Sequence, residues 1–228
     1  MKRQTFLVDA DDTLWENNVF FEQAIGEFIA RMEPLGYSPA YVRRILNEIE
    51  KRNIRQHGYG VGSFRRSLEE TYRRLAGELA HSDEWAWIRD RAREIEHTPP
   101  RILDGVPETL AFLARRHRLI LFTKGEPVEQ GAKIERSGLV SYFEAVEIAP
   151  EKDAANYEHV VNRHKIVKQN AWMVGNSPKS DVNPALEAGL NVVFIPHRMT
   201  WELEHAELVS GLGRMLLLTS FRDLRLHF

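Results

Sequence analysis

Short runs of apolar residues alternate along this chain with stretches in which apolar residues recur at helical spacing. The runs cover residues 5–8, 118–122, 145–149, 171–174 and 191–195, and the helical patterns lie at 106–113, from 128 onward, at 157–161 and at 182–188. Short unbroken apolar runs are typical of strands that are buried on both faces of a parallel sheet. Their alternation with helices predicts an α/β fold with a doubly wound parallel sheet.

The segment 17–97 breaks this alternation, because it contains no apolar strand run. Its apolar residues keep helical spacing and indicate four helices, the second of which opens at Ser38, a good N-cap residue. A proline pair that begins at Pro99 ends the helical pattern. The sequence therefore predicts an α/β core formed by 1–16 and 98–228, with an inserted helical domain.

Composition narrows the class of protein. The 228 residues are 43% hydrophobic and 28% charged, with a formal net charge of −2, which is typical of a soluble globular protein and implies neither a nucleic-acid nor a membrane partner. The absence of cysteine excludes disulfides, thiolate metal sites and cysteine nucleophiles. No apolar run approaches the length that spans a bilayer, and the first nine residues are too short and polar for a signal peptide. We expect a cytoplasmic protein.

Three acidic residues, Asp9, Asp11 and Asp12, stand where the first predicted strand ends. Ligands of open parallel sheets bind beyond the carboxyl ends of the strands. Carboxylates this close repel each other, so the cluster predicts a bound cation, and hard oxygen ligands favour Mg²⁺. The alternative is that one aspartate caps a turn and the others are solvated.

The spacing Asp9-x-Asp11-x-Thr13 resembles the first motif of the haloacid dehalogenase superfamily, in its phosphatase branch with a helical cap. The later motifs of that family follow in order at predicted strand ends: Thr123 after the second run, Lys152 after the third, and the segment 175–181 after the fourth. The resemblance covers the whole predicted core. It implies a Rossmann-like sheet with an all-helical C1-type cap.

The resemblance also implies a mechanism. Asp9 would be the nucleophile and form an aspartyl phosphate. Asp11 would protonate the leaving alcohol and then deprotonate water, a task open to a carboxyl whose pKa is raised by its neighbours. Thr123 would donate a hydrogen bond to the phosphoryl oxygens and Lys152 would supply positive charge. Mg²⁺ would be held by Asp9, the backbone carbonyl of Asp11 and Asp181.

Several positions depart from the pattern of the family. Asn176 stands where an acid is frequent, and it could reach the metal directly or through water. Asp12 replaces a common glycine, and Lys124 replaces a common asparagine, where it would add charge over the phosphate or remain a solvated loop lysine. Asp181 could instead be a helix N-cap, and Lys152 a surface charge.

The irregular segment 57–66 of the predicted cap is its best candidate for substrate contact, through His57, Tyr59 and Arg65. A plain connection between helices is the alternative.

The expected substrate is a small phosphorylated metabolite. Three rival functions are a 2-haloacid dehalogenase, which usually lacks an equivalent of Asp11, a phospho-accepting receiver domain, which has no large insertion, and a non-catalytic phosphate-binding family member, for which Asn176 is the hint.

Overall fold

The computed structural model describes residues 3–211 and 213–228. The chain forms two compact units, one of which comprises the chain up to Asn18 together with Pro99–Phe228, and the other Val19–Thr98. The predicted boundaries lie close to these, and residues 1 and 2 of the predicted core are outside the described residues. We refer to the two parts as the core unit and the helical unit.

The described residues form eight strands and eight α-helices. The strands are β1 (Thr5–Val8), β2 (Trp15–Glu16), β3 (Arg101–Ile102), β4 (Arg118–Lys124), β5 (Ala145–Ala149), β6 (Ala171–Gly175), β7 (Asn191–Phe194) and β8 (Met215–Leu217). The helices are α1 (Asn18–Met32), α2 (Pro39–His57), α3 (Val61–Ala76), α4 (Ser82–His97), α5 (Val106–Ala114), α6 (Pro127–Ser137), α7 (Ala154–Arg163) and α8 (Asn183–Glu187).

The core unit is built on a six-stranded sheet in the order β5-β4-β1-β6-β7-β8, in which every pair is parallel. The chain winds outward from β1 through β4 to β5, and then crosses back to β6 and winds outward on the other side. The predicted doubly wound sheet is therefore confirmed. Strand β1 lies at its centre, at the point where the winding reverses.

Alternation of side chains along the central strands separates the core into two layers. Phe6 and Val8 of β1 pack on one face with α5 and the C-terminal residues Leu224 and Phe228. Leu7 points to the other face, where it packs with residues of α7 and α8. Successive residues of a strand face opposite sides of the sheet. The apolar run of β1 is therefore buried on both faces, as predicted, because helices cover both sides of the sheet.

A short antiparallel ribbon and the last strand were not predicted. β2 pairs with β3 through Trp15 opposite Ile102 and Glu16 opposite Arg101. The edge strand β8 pairs with β7 and leaves Leu217 exposed. Runs of two or three residues carry too little periodicity to be recognised as strands.

The helical unit consists of α1–α4, apart from the first residue of α1, and confirms the prediction of four helices. Ser38 is the N-cap of α2, as predicted, and its side chain accepts a hydrogen bond from the backbone of Tyr41. The apolar stripes form one separate core, which includes Phe28, Leu68 and Ile88. In the whole described part of the chain, not only in the helical unit, none of the helices combines the length and the apolarity that a membrane span requires.

Candidate active site

Asp9 lies immediately after the central strand, at the edge where the neighbouring strands β4 and β6 also end. Val8 is level with Leu121 of β4 and with Val174 of β6, so Asp9 is the first residue beyond the pairing of β1. Its backbone N–H still donates to Val174 O at 2.9 Å. The ladder thus fixes the main chain of Asp9 and leaves its side chain facing the edge.

The Asp9 carboxylate is buried and bonded at both oxygens. Thr13 Oγ1 donates to Oδ2 at 2.8 Å, and Lys152 Nζ donates to Oδ1 at 2.5 Å. Burial, together with the charge of Asp181, raises the pKa of Asp9 from 3.8 to about 7, against the opposing effect of Lys152. The structure therefore places a poorly solvated carboxylate at the end of the central strand, with its charge partly compensated by Lys152.

Lys152 connects Asp9 to the predicted metal ligand Asp181. Its Nζ lies 2.8 Å from Asp181 Oδ1, and its side chain is only 1% exposed, so the alternative reading of Lys152 as a surface charge is wrong. Burial alone would lower the pKa of Lys152, but Asp181 and Asp9 outweigh it and leave the pKa raised. The ammonium stays charged and partly neutralises two buried carboxylates.

The position of Asp181 depends on a glycine at the end of β6. A Cβ on Gly175 would clash with Asp181 Oδ2, so only glycine allows the carboxylate to lie against this strand end. The same oxygen accepts a hydrogen bond from Ser177 N at 2.9 Å. Ser177 is the N-cap of the π-helical turn Pro178–Val182 and accepts from Ser180 N, so the reading of Asp181 as an N-cap is wrong.

These residues form an oxygen-rich donor set that fits Mg²⁺. The carboxylates of Asp9 and Asp181 converge on Lys152 Nζ, and Asn176 Oδ1 accepts a hydrogen bond at 3.2 Å from Thr13 Oγ1, which also bonds Asp9. Asn176 is therefore inside the site and buried. Carboxylate and amide oxygens are hard ligands that suit Mg²⁺, and the space that Gly175 leaves for Asp181 is part of this fit.

Asp11, the predicted acid and base, is held by a set of donors that the sequence did not reveal. Lys133 Nζ lies 2.8 Å from each of its oxygens, Gln130 Nε2 donates to Oδ2 at 2.8 Å, and Trp15 Nε1 donates to Oδ1 at 2.8 Å. Burial alone would raise the pKa of Asp11, but Lys133 and the other donors outweigh it and lower the pKa. The expectation that neighbours raise this pKa is therefore wrong.

Of the three clustered aspartates, Asp12 is the one whose side chain caps a turn. Its φ of 60° is in the left-handed region, which explains why glycine is favoured at this position. Its Oδ1 accepts hydrogen bonds from the backbones of Asn17 and Asn18, where α1 begins. Burial, with a contribution from Asp11 and a smaller one from Asp9, raises the pKa of Asp12 to about 7.

Lys124 is not a solvated loop lysine, because its ammonium is bound by acidic and hydroxyl groups. Nζ lies 2.6 Å from Glu204 Oε1, 2.8 Å from Ser180 Oγ and 3.3 Å from Glu151 Oε1. Thr123, the preceding residue of β4, is buried at 1% exposure. The roles of both residues toward a phosphate remain predictions.

Comparison with known proteins assigns the chain to a family. A family model of haloacid dehalogenase-like hydrolases matches residues 4–189, which include all of the motif residues above. This chain belongs to the haloacid dehalogenase-like hydrolases. The resemblance inferred from the spacing of Asp9, Asp11 and Thr13 is confirmed.

The hydrolase is similar in sequence to one curated relative and in fold to several solved structures. It is 31% identical over 141 residues to a phosphoserine phosphatase from Thermus thermophilus, a match that covers 58% of this chain and 52% of the relative. The chain thus spans about half the length of that relative. A haloacid dehalogenase-like family hydrolase from Xanthomonas campestris is 27% identical with a TM-score of 0.85, over 99% of this chain and 90% of that one. A 2-haloacid dehalogenase from Pseudomonas syringae pv. Tomato DC3000 shares the fold, with 24% identity, a TM-score of 0.61 and coverage of 98% and 97%.

A second group of possible metal ligands in the hydrolase consists of Asp12, Glu16 and His197, which each offer an atom within 4.8 Å of the others. The ring nitrogens of His197 face different acids, with Nδ1 3.7 Å from Asp12 Oδ1 and Nε2 3.2 Å from Glu16 Oε2. Nδ1 also accepts a hydrogen bond from the backbone N–H of Met199, so in the neutral ring Nε2 carries the proton. This arrangement is that of a histidine between two acids rather than of three ligands converging on one ion.

The predicted substrate contacts of the cap lie in the helical unit of the hydrolase. His57 is the last residue of α2, Tyr59 lies in the connection to α3, and Arg65 is exposed on α3, 3.8 Å from Glu69. Gly58 and Gly60 in the connection have positive φ, which allows the tight reversal between the helices. Contact of these residues with substrate remains a prediction.

Gln130, Lys133 and Glu204 are the site residues that sequence reasoning missed. Gln130 and Lys133 are three positions apart on α6, a spacing that places two side chains on one helix face. That spacing was the available signal in the sequence. It indicates a shared contact only when the fold is known to bring α6 next to Asp11. Glu204 lies beyond the region matched by the family and has no local signal.

Proposed function

We propose that the hydrolase is a magnesium-dependent phosphatase, which hydrolyses a small phosphate monoester through an aspartyl phosphate on Asp9. The observation that carries the proposal is the presence of Asp11 beside the nucleophile, fixed by Lys133 and Gln130. Loss of an alcohol from phosphorus requires a proton donor, whereas loss of a halide from carbon does not. The similarity to a phosphoserine phosphatase supports the same class of substrate.

In the first step, a carboxylate oxygen of Asp9 attacks phosphorus and the bond from phosphorus to the leaving oxygen breaks. Asp11 gives its proton to that oxygen. Lys152, 2.5 Å from Asp9 Oδ1, lies where it can neutralise charge on the phosphoryl oxygens. Bound Mg²⁺, held by Asp9, Asp181, the carbonyl of Asp11 and the nearby Asn176, would supply further positive charge.

In the second step, water attacks phosphorus, the bond between phosphorus and Asp9 breaks, and Asp11 takes a proton from the water. The ionised state that Lys133 favours for Asp11 suits this role as a base. For Asp11 to act as an acid, it must gain a proton, which weakens its ion pair with Lys133. Separation of Lys133 from Asp11 is therefore part of the proposed cycle.

A dehalogenase is the second candidate, because Lys133 lies 2.8 Å from Asp11 and favours its ionised form, which cannot protonate a leaving alcohol. In that reaction Asp9 attacks the carbon that bears the halogen, the carbon–halogen bond breaks and halide leaves, and water then hydrolyses the ester on Asp9. The displacement of halide needs neither a proton donor nor a metal.

One experiment separates these functions. Phosphate release from an aryl phosphate and halide release from 2-chloropropionate are measured with the same preparation, in excess Mg²⁺ and in excess EDTA. We expect phosphate release that EDTA abolishes and Mg²⁺ restores, with no halide release. Halide release that is insensitive to EDTA would establish the dehalogenase, and a folded protein without turnover of any member of a panel of phosphorylated metabolites would favour a non-catalytic phosphate-binding protein.

A further inference from the structure

Glu204 is a buried carboxylate that the proposed mechanism does not use. It lies in the short 3₁₀ turn Glu202–Glu204, and its side chain is 9% exposed. Oε2 accepts hydrogen bonds from Ser177 Oγ at 2.6 Å and from Ser180 Oγ at 2.5 Å, and Oε1 pairs with Lys124 Nζ at 2.6 Å. A buried charge with this many donors is both costly to desolvate and well satisfied.

The two serines belong to the turn that carries Asp181. Ser177 bonds Glu204 through its hydroxyl and Asp181 through its backbone N–H, at 2.6 Å and 2.9 Å. Its hydroxyl also accepts from Ser180 N at 2.9 Å and so closes the turn. A displacement of Ser177 would therefore move the amide that orients the Asp181 carboxylate.

Lys124 connects the same carboxylate to the end of β4. Its Nζ bonds Ser180 Oγ as well as Glu204, and thereby joins the turn after β6 to the neighbouring part of the active-site edge. Burial alone would raise the pKa of Glu204, but Lys124 and the serine hydroxyls outweigh it and lower the pKa. The carboxylate is ionised at neutral pH and can accept from all three groups.

We propose that Glu204 is a positioning residue for the metal site, which fixes Ser177, Ser180 and Lys124 so that Asp181 is oriented for a divalent cation. The inference rests on the proposed Mg²⁺ site but goes beyond the family pattern, because the family match ends at residue 189. Groups that orient metal ligands commonly change metal affinity 10- to 100-fold when they are removed.

The test is calorimetric titration of Mg²⁺ into the protein without substrate, for wild type, Glu204→Gln and Glu207→Gln. In Glu204→Gln the new amide keeps the shape of the side chain but removes the charge and presents a donor to groups that also donate. Glu207 is an exposed acid on the same segment and provides the matched control. We expect Glu204→Gln to weaken Mg²⁺ binding by about tenfold and Glu207→Gln to leave it unchanged.

Affinity and stoichiometry distinguish positioning from loss of structure. A partly unfolded variant binds fewer ions per chain, whereas a folded variant with a displaced Asp181 binds the same number more weakly, and its kcat recovers when Mg²⁺ is raised. If Glu204→Gln does not fold, Ser180→Ala removes the hydroxyl that bonds Glu204 and Lys124, leaves the Ser177 cap of the turn intact, and should weaken binding in the same direction. Unchanged Mg²⁺ affinity in a folded Glu204→Gln or Ser180→Ala protein would overturn only the inference about Glu204. A wild type that binds no Mg²⁺ would overturn the metal site of the proposed function itself.

Discussion

Replacement of Lys152 by methionine tests how strongly the buried carboxylates depend on one cation. Nζ of Lys152 lies 2.5 Å from Asp9 Oδ1 and 2.8 Å from Asp181 Oδ1, and the three side chains are 1%, 9% and 1% exposed. Methionine keeps the length and packing of the side chain and removes its charge. Above about pH 7, where Asp9 is ionised, the two acids would then face each other without a counterion, so the test is made there.

Breaking a buried ion pair by removal of one partner costs about 3–5 kcal/mol. For a protein of this size, 1 kcal/mol corresponds to roughly 2–4 °C in Tm, so we expect a fall of roughly 6–20 °C in EDTA. Mg²⁺ should then stabilise Lys152→Met more than wild type, because a cation that binds only the folded state stabilises it more the more tightly it binds. The extra stabilisation arises because the variant site has one more uncompensated negative charge.

The assay is thermal unfolding of wild type, Lys152→Met and Lys51→Met, in excess EDTA and in excess Mg²⁺. Lys51 is exposed on α2 and controls for the loss of a lysine. A Lys152→Met protein that melts with wild type in EDTA, or that gains no more from Mg²⁺ than wild type does, would refute the electrostatic account of the site.

Three further variants test other parts of the site. Asp9→Asn should remove turnover. In wild type the folded state keeps a proton on Asp9 until about pH 7 that the unfolded state loses near pH 4, so the Tm of the variant relative to wild type should rise from pH 4 to 7 and then level off. A pH-independent difference in Tm would contradict this. Lys133→Met removes the group that lowers the pKa of Asp11, so the alkaline limb of the pH profile of kcat/KM should move to higher pH, and an unshifted limb would exclude Asp11 as the acid. Asn176→Asp should lower the Mg²⁺ concentration for half-maximal activity, because the added charge should strengthen Mg²⁺ binding by an amount on the order of 1 kcal/mol. Substrate affinity, titrated separately, should fall. An unchanged Mg²⁺ titration would place Asn176 outside the reach of the metal.

The parts of the fold that the sequence predicted are those specified by local pattern. The apolar runs that end in Asp9, Thr123 and Gly175 are central strands, and their burial on both faces makes the pattern continuous. Since parallel strands present their carboxyl ends at one edge, the order of the motifs was enough to bring Asp9, Lys152 and Asp181 together. The ribbon and the edge strand β8 were missed because short or half-exposed strands lack this continuity.

The environment of each charged group was not predictable in the same way. Lys133 and Asp11 are 122 residues apart, and Lys124 and Glu204 are 80 apart. Such pairs depend on how α6 and the segment after β7 pack on the sheet, which no local spacing specifies. The sequence therefore indicated which carboxylates share the site, but not that Asp11 is held by a lysine or that Asp181 is connected to Glu204.

The ribbon formed by β2 and β3 has a consequence for how proteins of this architecture diversify. Glu16 and Arg101 are paired neighbours in the core unit, so the chain leaves the core and returns to it at adjacent points. The entropy of closing a loop rises only slowly with its length, and an insertion at adjacent points places few demands on the structure that receives it. One sheet can therefore accept inserted domains of different size between β2 and β3, and selection can exchange the insertion without rebuilding the strand ends that lead to Asp9 and Asp181.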